Sequence, residues 1–263
     1  MMEISILYDS SKCTGCRACQ VSCKQWNDLP AERTKNWGSY ENPRDLSPTT
    51  FSRVKFIETD IPDAPRMLYL NQACMHCTDA ACVKVCPTGA LSHSSSGAVT
   101  FDRQKCNGCG YCTQFCAFHV PRLDGNLMTG AGKSSKCDLC QDRISNGLTP
   151  ACVKTCPTGA LSYAPRAELV ARGRQRVDLL KANGQPRANL YGDTMLSGLH
   201  RMYVLTEPPE VYGLPTDPQT PALAGIWQEF VQPAAEGSFV LGILGTALAF
   251  VIARRNIRMQ DVE

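Results

Sequence analysis

The sequence predicts an α+β protein built from two small cysteine-rich units, one inserted within the other, followed by a single membrane-spanning helix. Three observations carry that prediction. Sixteen cysteines fall into four groups of four. A twelve-residue phrase occurs twice, as ACVKVCPTGALS from Ala81 to Ser92 and as ACVKTCPTGALS from Ala151 to Ser162, with one position different. Near the end, the seventeen residues from Gly237 to Ala253 carry no charge and are followed at once by Arg254 and Arg255.

Composition limits what such a chain does. At 263 residues it holds two modest domains, or one with long decorations. With 43% hydrophobic and 19% charged residues it reads as an ordinary folded protein apart from its cysteines, and it is too large to need disulfides for stability. A formal charge of +3 without a clustered basic face argues against a nucleic-acid surface, so no nucleic-acid partner is expected. The stretch MMEISILYDSSK has early acidic residues and no long apolar core, so it does not read as a secretory signal.

The cysteine groups are Cys13, Cys16, Cys19 and Cys23; Cys74, Cys77, Cys82 and Cys86; Cys106, Cys109, Cys112 and Cys116; and Cys137, Cys140, Cys152 and Cys156. The first and third read C-x2-C-x2-C-x3-C, the second C-x2-C-x4-C-x3-C-P, and the fourth C-x2-C-x11-C-x3-C-P. Cysteines this close on a tight loop aim their sulfurs at three corners of one 4Fe–4S cube, each thiolate holding one iron, and the fourth lies a turn too far away. In two-cluster ferredoxins that fourth cysteine ligates the other cluster, so paired motifs share ligands crosswise. Zinc sites usually mix in histidine or come as two C-x2-C pairs, and disulfides do not produce the C-x2-C-x2-C repetition. The spacing predicts iron–sulfur clusters. The doubled phrase predicts two ferredoxin-like units, each CPTGAL turning the chain out of a cluster site toward an apolar strand or helix.

Crosswise sharing requires a partner for every motif. The second and third groups are only twenty residues apart and pair with each other, which leaves the first and fourth to pair around them. The predicted ligand sets are Cys13, Cys16, Cys19 and Cys156 for cluster 1; Cys23, Cys137, Cys140 and Cys152 for cluster 2; Cys74, Cys77, Cys82 and Cys116 for cluster 3; and Cys86, Cys106, Cys109 and Cys112 for cluster 4. Residues 1–70 and 125–205 then form the outer ferredoxin-like unit and residues 71–124 the inserted one. Residues 206–235 are expected as a linker and interfacial segment, 236–255 as the transmembrane helix and 256–263 as a cytoplasmic tail.

The segments between the motifs read in turn. Lys24 to Pro65, with five prolines, is expected to be ordered loop except for a strand over FSRVKFIE. Trp26 and Trp37 read as packing or interface anchors ahead of electron-path residues. PRAELVARGRQRVDLLKANG predicts a surface helix with Leu169, Val177 and Leu180 inward and Gly184 as its stop. Lys84 and Lys154 stand between the last two cysteines of the two repeats, either as solvent-facing side chains or as cations favouring a reduced cluster. On the second reading Lys84→Gln lowers the potential of cluster 3. Four oxidised clusters at about −2 each take the formal charge from +3 to about −5. His76, inside CMHC, reads as a neighbour or surface residue, since sixteen cysteines already account for four cubes.

From Val204 onward the prolines mark an extended segment leading away from the cluster core. Ile226, Trp227, Phe230 and Val231 recur at helical spacing, suited to a membrane interface, to a partner or equally to an ordinary packed helix. The uncharged run from Gly237 is at the short end of the spanning range, and Gly242, Gly245, Thr246 and Ala249 suit packing against other membrane helices. Arg254, Arg255 and Arg258 follow it while Glu229 and Glu236 precede it, which places the C-terminus in the cytoplasm.

Four motifs in this order, with CMHC, CNGCGYC, PRL, ACVKTCPTGA, MYVL and a single-span C-terminal anchor, resemble the iron–sulfur β subunit of membrane-bound formate dehydrogenases, in the complex iron–sulfur molybdoenzyme group. GSYENPRDLSPTTFSRVKF and YGLPTDPQTP resemble it as well, and the likeness covers essentially the whole chain. It implies a non-catalytic electron-transfer subunit with four 4Fe–4S clusters, a molybdopterin-containing catalytic α subunit holding molybdenum or tungsten, and a haem b membrane γ subunit that reduces quinone. It implies co-export on the twin-arginine signal of the catalytic subunit, and a place in the bacterial inner membrane with the cluster domain on the periplasmic side. Electrons are implied to enter at cluster 1 and leave from cluster 4. The equivalent subunit of a hydrogenase or of a polysulfide or dimethyl sulfoxide reductase shares the cluster motifs and is the alternative. A zinc scaffold and a soluble ferredoxin-like carrier are further rivals, the latter disfavoured by the apolar tail. Ala117 departs from the proline that commonly follows the fourth cysteine.

Overall fold

The computed structural model describes residues 3–59, 66–125 and 132–256. The chain divides into two compact units, Met1–Thr220 and Pro221–Glu263.

The first unit opens on strand β1 (Ile4–Asp9), buried along nearly its whole length, and the first cysteine loop leads from it into helix α1 (Ala18–Trp26). The irregular stretch after α1 is pinned from inside. Glu41 is buried and accepts Arg53 Nη1 at 2.6 Å and the Phe56 amide at 2.8 Å, while Glu32 accepts the hydroxyls of Ser47 at 2.6 Å and Thr49 at 2.9 Å. FSRVKFIE supplies strand β2 (Arg53–Thr59), as its alternation predicts. Its antiparallel partner β3 (Arg66–Gln72) escapes the sequence pattern, because Asn71 is buried beside Leu70 and breaks the alternation.

The first copy of the repeated phrase forms α2 (Ala81–Lys84) and runs through CPTGAL into β4 (Leu91–His93), which pairs with β5 (Val99–Phe101) ahead of α3 (Tyr111–Phe115). Strands β6 (Arg122–Asp124) and β7 (Lys133–Ser135) form a short antiparallel pair before α4 (Gln141–Ser145). The second copy forms α5 (Ala151–Lys154) and then β8 (Leu161–Pro165). Both copies thus take one backbone path, a single helical turn, a bend and a strand that begins at the same leucine.

Helix α6 (Arg166–Ala182) buries Leu169, Gly173, Val177 and Leu180, with Gly184 just beyond it at φ +82°, as the sequence predicts. Its arginines are solvated but paired, Arg176 Nε with Asp9 at 2.8 Å and Arg174 Nη2 with Asp193 at 3.1 Å. After β9 (Asn189–Tyr191) and β10 (Arg201–Leu205) the main sheet is complete in the order β8-β1-β10-β9. Period-two alternation divides its faces. Leu7, Met202 and Val204 pack with α6, whereas Ile6, Tyr8, Tyr203 and Leu205 face the core that holds Cys19, Leu139 and Cys152.

Residues 206–220 do not lead away from this core, contrary to the reading of their prolines. Thr206, Glu207 and Tyr212 are buried, and Glu207 takes Arg66 Nη2 at 2.6 Å and Arg187 Nε at 2.8 Å. The prolines fix a 3-10 turn at Pro209–Tyr212, and the buried tyrosine anchors it.

In the second unit, α7 (Ala222–Ile226), a π-helical turn at Trp227–Val231 and α8 (Gln232–Asn256) run on without a break. Pro233 has no N–H to give the carbonyl four residues earlier, and the π turn sits where that bond is missing. The helical run from Ala222 to Arg255 is 34 residues. At roughly 1.5 Å per residue it is about 50 Å long, against a hydrocarbon core of about 30 Å. Helix begins at Ala222 and so takes in Ile226, Trp227, Phe230 and Val231, whose spacing is helical, and large apolar side chains such as Phe230, Phe239, Leu241 and Phe250 are exposed along it. The predicted tail at 256–263, with Arg258, lies outside the described residues apart from Asn256.

Candidate metal centre

Every cysteine loop bends through left-handed backbone: Gly15 and Arg17 in the first, His76 in the second, Gly108 and Gly110 in the third, Leu139 and Cys140 in the fourth. Alternating right- and left-handed residues turns successive N–H groups to one side and makes an anion-binding concavity of the kind found at iron–sulfur sites. Gly15 has a second reason to lack a side chain, since a Cβ there would lie 2.5 Å from the Tyr69 ring. Donors already point at the sulfurs. Cys13 Sγ receives the Gly15 amide at 3.5 Å, Cys137 the Leu139 amide at 3.4 Å and Cys106 the Ser134 amide at 3.4 Å. Side-chain amides add to these, Asn71 Nδ2 at 3.3 Å from Cys19 and Asn27 Nδ2 at 3.7 Å from Cys23.

The fold brings the thiols into four neighbourhoods. Helix α1 packs on α5 and α2 on α3, so elements of the first and fourth cysteine groups meet, as do those of the second and third. Cys13 feels Cys156 and Cys16, and Cys19 feels Cys13 and Cys156. Cys23 faces Cys137, Cys152 and Cys140. Cys77 faces Cys74, Cys116 and Cys82. Cys86, Cys106, Cys109 and Cys112 line one cavity with Thr88, Asn107 and Ser134. Three pairs join neighbourhoods: Cys19 also feels Cys152, Cys82 feels Cys112 and Cys137 feels Cys74.

Burial pushes the Cys19, Cys137 and Cys140 thiols up to about 12 and Cys112 to about 11, with neighbouring cysteines adding to the rise at Cys19, Cys140 and Cys112. Cys23, Cys77 and Cys82 are raised by the same causes. Thiols grouped this tightly ionise when a cation compensates them, which is the role of bound iron. Among the described residues no three histidine, cysteine or carboxylate side chains converge on the point a single ion would occupy. Thiolates that each hold a different iron stand further apart than four ligands of one zinc ion, so the grouping suits a cube.

A buried cation makes the same point independently. Arg201 is 1% exposed, and no carboxylate among the described residues pairs with it. Its Nη1 donates to Asn71 Oδ1 at 2.6 Å, its Nε has no hydrogen-bond partner, and its charge bears on Cys152 and Cys137. Burying an uncompensated ion costs several kcal/mol. Opposite unit charges about 4 Å apart recover about 4 kcal/mol at an effective dielectric near 20, so an anionic group beside Arg201 balances it. Lys136 is also buried, its ammonium on the carbonyls of Val99 and Cys137, near Cys82 and Cys116.

The other singled-out residues divide. Lys84 pairs with Asp79 at 2.6 Å in a half-exposed position, and Lys154 is exposed, so the solvent-facing reading holds for both. His76 is fully buried, not on the surface: its Nδ1 accepts the Val99 amide at 3.1 Å, and burial holds its pKa well below the usual value. Trp26 and Trp37 are 43% and 41% exposed, Trp26 donating to Asp142 at 2.8 Å beneath the Arg143 guanidinium and Trp37 to the Glu41 carbonyl at 2.9 Å. Sequence reasoning missed Arg201, Asn71 and Lys136. A charged residue opening an apolar strand is the sole signal Arg201 leaves, and only the β1–β10 pairing carries it to the cysteines.

Comparison with known proteins agrees. Residues 12–91 and 65–166 each match a family described as 4Fe-4S dicluster domain. The chain is 39% identical over 265 residues to "Formate dehydrogenase, nitrate-inducible, iron-sulfur subunit" of Escherichia coli (strain K12), which covers 99% of this chain and 89% of that one. It is 40% identical over 255 residues to "Formate dehydrogenase iron-sulfur subunit" of Haemophilus influenzae, covering 95% and 79%. "Hydrogenase-2 operon protein HybA" of Escherichia coli O157:H7 is 34% identical over 225 residues, covering 80% and 66%.

Proposed function

This chain belongs to the family of formate dehydrogenase iron–sulfur subunits, and from that we propose that it carries electrons released by formate oxidation toward a membrane partner. It is an electron-transfer subunit, and its sixteen cysteines hold four 4Fe–4S clusters. When bound, those clusters supply one-electron acceptors and donors.

The assignment of ligands is part of the proposal: Cys13, Cys16, Cys19 and Cys156; Cys23, Cys137, Cys140 and Cys152; Cys74, Cys77, Cys82 and Cys116; Cys86, Cys106, Cys109 and Cys112. The thiol neighbourhoods support it, since they are the ones crosswise sharing requires. So is the nesting of 71–124 within an outer unit of 1–70 and 125–205, supported by the packing of α1 on α5 and α2 on α3. The protein's own work is to place the thiols, shield them from water and aim amide N–H groups at them. Amide donors stabilise negative charge on sulfur and so favour the reduced state.

The proposed partners are a molybdopterin-containing catalytic subunit and a haem b membrane subunit that reduces quinone. The helix from Ala222 to Arg255 is proposed to cross the bacterial inner membrane once, among lipid and partner helices. Arg254 and Arg255 at its end support a cytoplasmic C-terminus and a periplasmic cluster domain.

The observation that carries the reading is the meeting of cysteine loops far apart in sequence around one buried arginine that pairs with no carboxylate among the described residues. It is tested by purifying the complex anaerobically through this chain and adding formate. Bleaching of the broad iron–sulfur absorbance is expected. Bleaching by hydrogen but not by formate would overturn the formate assignment in favour of a hydrogenase partner.

A further inference from the structure

We propose that Arg201 sets the reduction potential of the clusters held by the first and fourth cysteine groups, as a permanent cation buried between them at the start of β10. The inference rests on the four-cluster reading above and adds a residue that is no ligand.

Arg201 opens β10, whose backbone pairs in parallel with β1 and leads the guanidinium into the interior. Its amide donates to the Met75 carbonyl at 3.1 Å, so the strand is tied to the second cysteine loop as well. Asn71 fixes the head group. Its Oδ1 accepts Arg201 Nη1 at 2.6 Å while its Nδ2 donates to Cys19 Sγ at 3.3 Å and to Ser52 Oγ at 3.0 Å. The Tyr203 hydroxyl donates to the Asn71 carbonyl at 3.0 Å and holds that strand in turn. The cation therefore touches the first group through one amide and faces the fourth group directly, where its charge bears on Cys137 and Cys152.

Adding an electron to a cluster raises its negative charge by one, so a fixed nearby cation stabilises the reduced form more than the oxidised form. A guanidinium is never deprotonated in a protein, which makes this bias independent of pH. Burial makes it effective. Lys84 and Lys154 lie at the surface, where water screens their fields, and Asp79 offsets Lys84 besides. The tuning charge is on the strand, not on the repeat.

The test uses the full chain in complex with its partner subunits, loaded with iron, in three variants. Arg201→Gln and Arg201→Met both remove the charge, the second with an apolar side chain, and Arg201→Lys keeps it. Iron content and an anaerobic redox titration followed by EPR are measured for each. With iron at the wild-type level, at least one midpoint in Arg201→Gln and in Arg201→Met is expected to move negative by a tenfold or larger change in the reduction equilibrium, about 59 mV for one electron. Arg201→Lys is expected to stay within about threefold, roughly 30 mV. A fully loaded Arg201→Gln with unmoved midpoints would overturn the proposal. If that variant fails to load, Arg201→Met decides by the same criterion, and loss of iron in both would make the residue structural and overturn it too. A wild-type chain short of the iron for four cubes would instead fail the reading on which the inference rests, so the two failures are separate.

Discussion

A fourth cysteine belongs to one motif by sequence and to another by space. Cys156 stands in the phrase after α5, yet the charges that meet at Cys13 and Cys19 include it. Cys156→Ser is therefore expected to remove the same EPR signal, and about a quarter of the iron, as Cys16→Ser does. A spectrum matching Cys140→Ser instead would reject crosswise sharing. At Gly15, with φ +69° and the Tyr69 ring 2.5 Å from a Cβ, alanine has to strain the backbone and displace a ring. The left-handed conformation alone costs ~1–2 kcal/mol, so Gly15→Ala should lower the yield of loaded protein, read as the ratio of cluster absorbance to protein absorbance. The cysteines are legible in the sequence because ligand spacing is local, set within a few residues by the reach of a thiolate. Arg201 and Asn71 are not, because each lies far along the chain from the thiols it serves, and only strand pairing closes those intervals.

Elements divide by the same rule. The two copies of the repeated phrase predict their own backbone, since proline, glycine and the apolar run after them determine a turn and a strand without help from elsewhere. Helix α6 is equally legible, with its buried Leu169, Val177 and Leu180 on one face. Strand β3 is not, because burying Asn71 serves Cys19 and Arg201 and interrupts the apolar pattern. Nor is the packing of 206–220, whose prolines read as linker while Tyr212 is drawn into the core and accepts the Thr206 amide at 3.4 Å. The sheet joins these layers, with α6 on one face and the cysteine core on the other. Leu169, fully buried between them, should cost ~2–5 kcal/mol on truncation to alanine. Thermal bleaching of the clusters then falls by roughly 5–15 °C while the EPR midpoints stay in place, since the helix faces away from the thiols.

At the scale of the whole chain, the cysteine core and the long apolar helix are separate in sequence. All sixteen cysteines, Arg201 and Lys136 precede Thr220, where the first compact unit ends, and the long apolar helix lies wholly after it. The buried residues that pack on the two faces of the sheet come from residues 6–212. Its apolar side chains are exposed over several turns, an arrangement that costs about 25 cal/mol for each Å2 left in water and is relieved in lipid or against partner helices. A chain ending at Thr220 should then keep the iron of four cubes and still pass electrons from formate to a soluble dye, while it leaves the membrane fraction and formate-driven quinone reduction collapses. Iron, dye reduction and quinone reduction measured on the same preparations decide it. Loss of iron on truncation would show that the helix supports the cluster fold, and quinone reduction at the full rate would show that the anchor is not where this subunit meets its membrane partner.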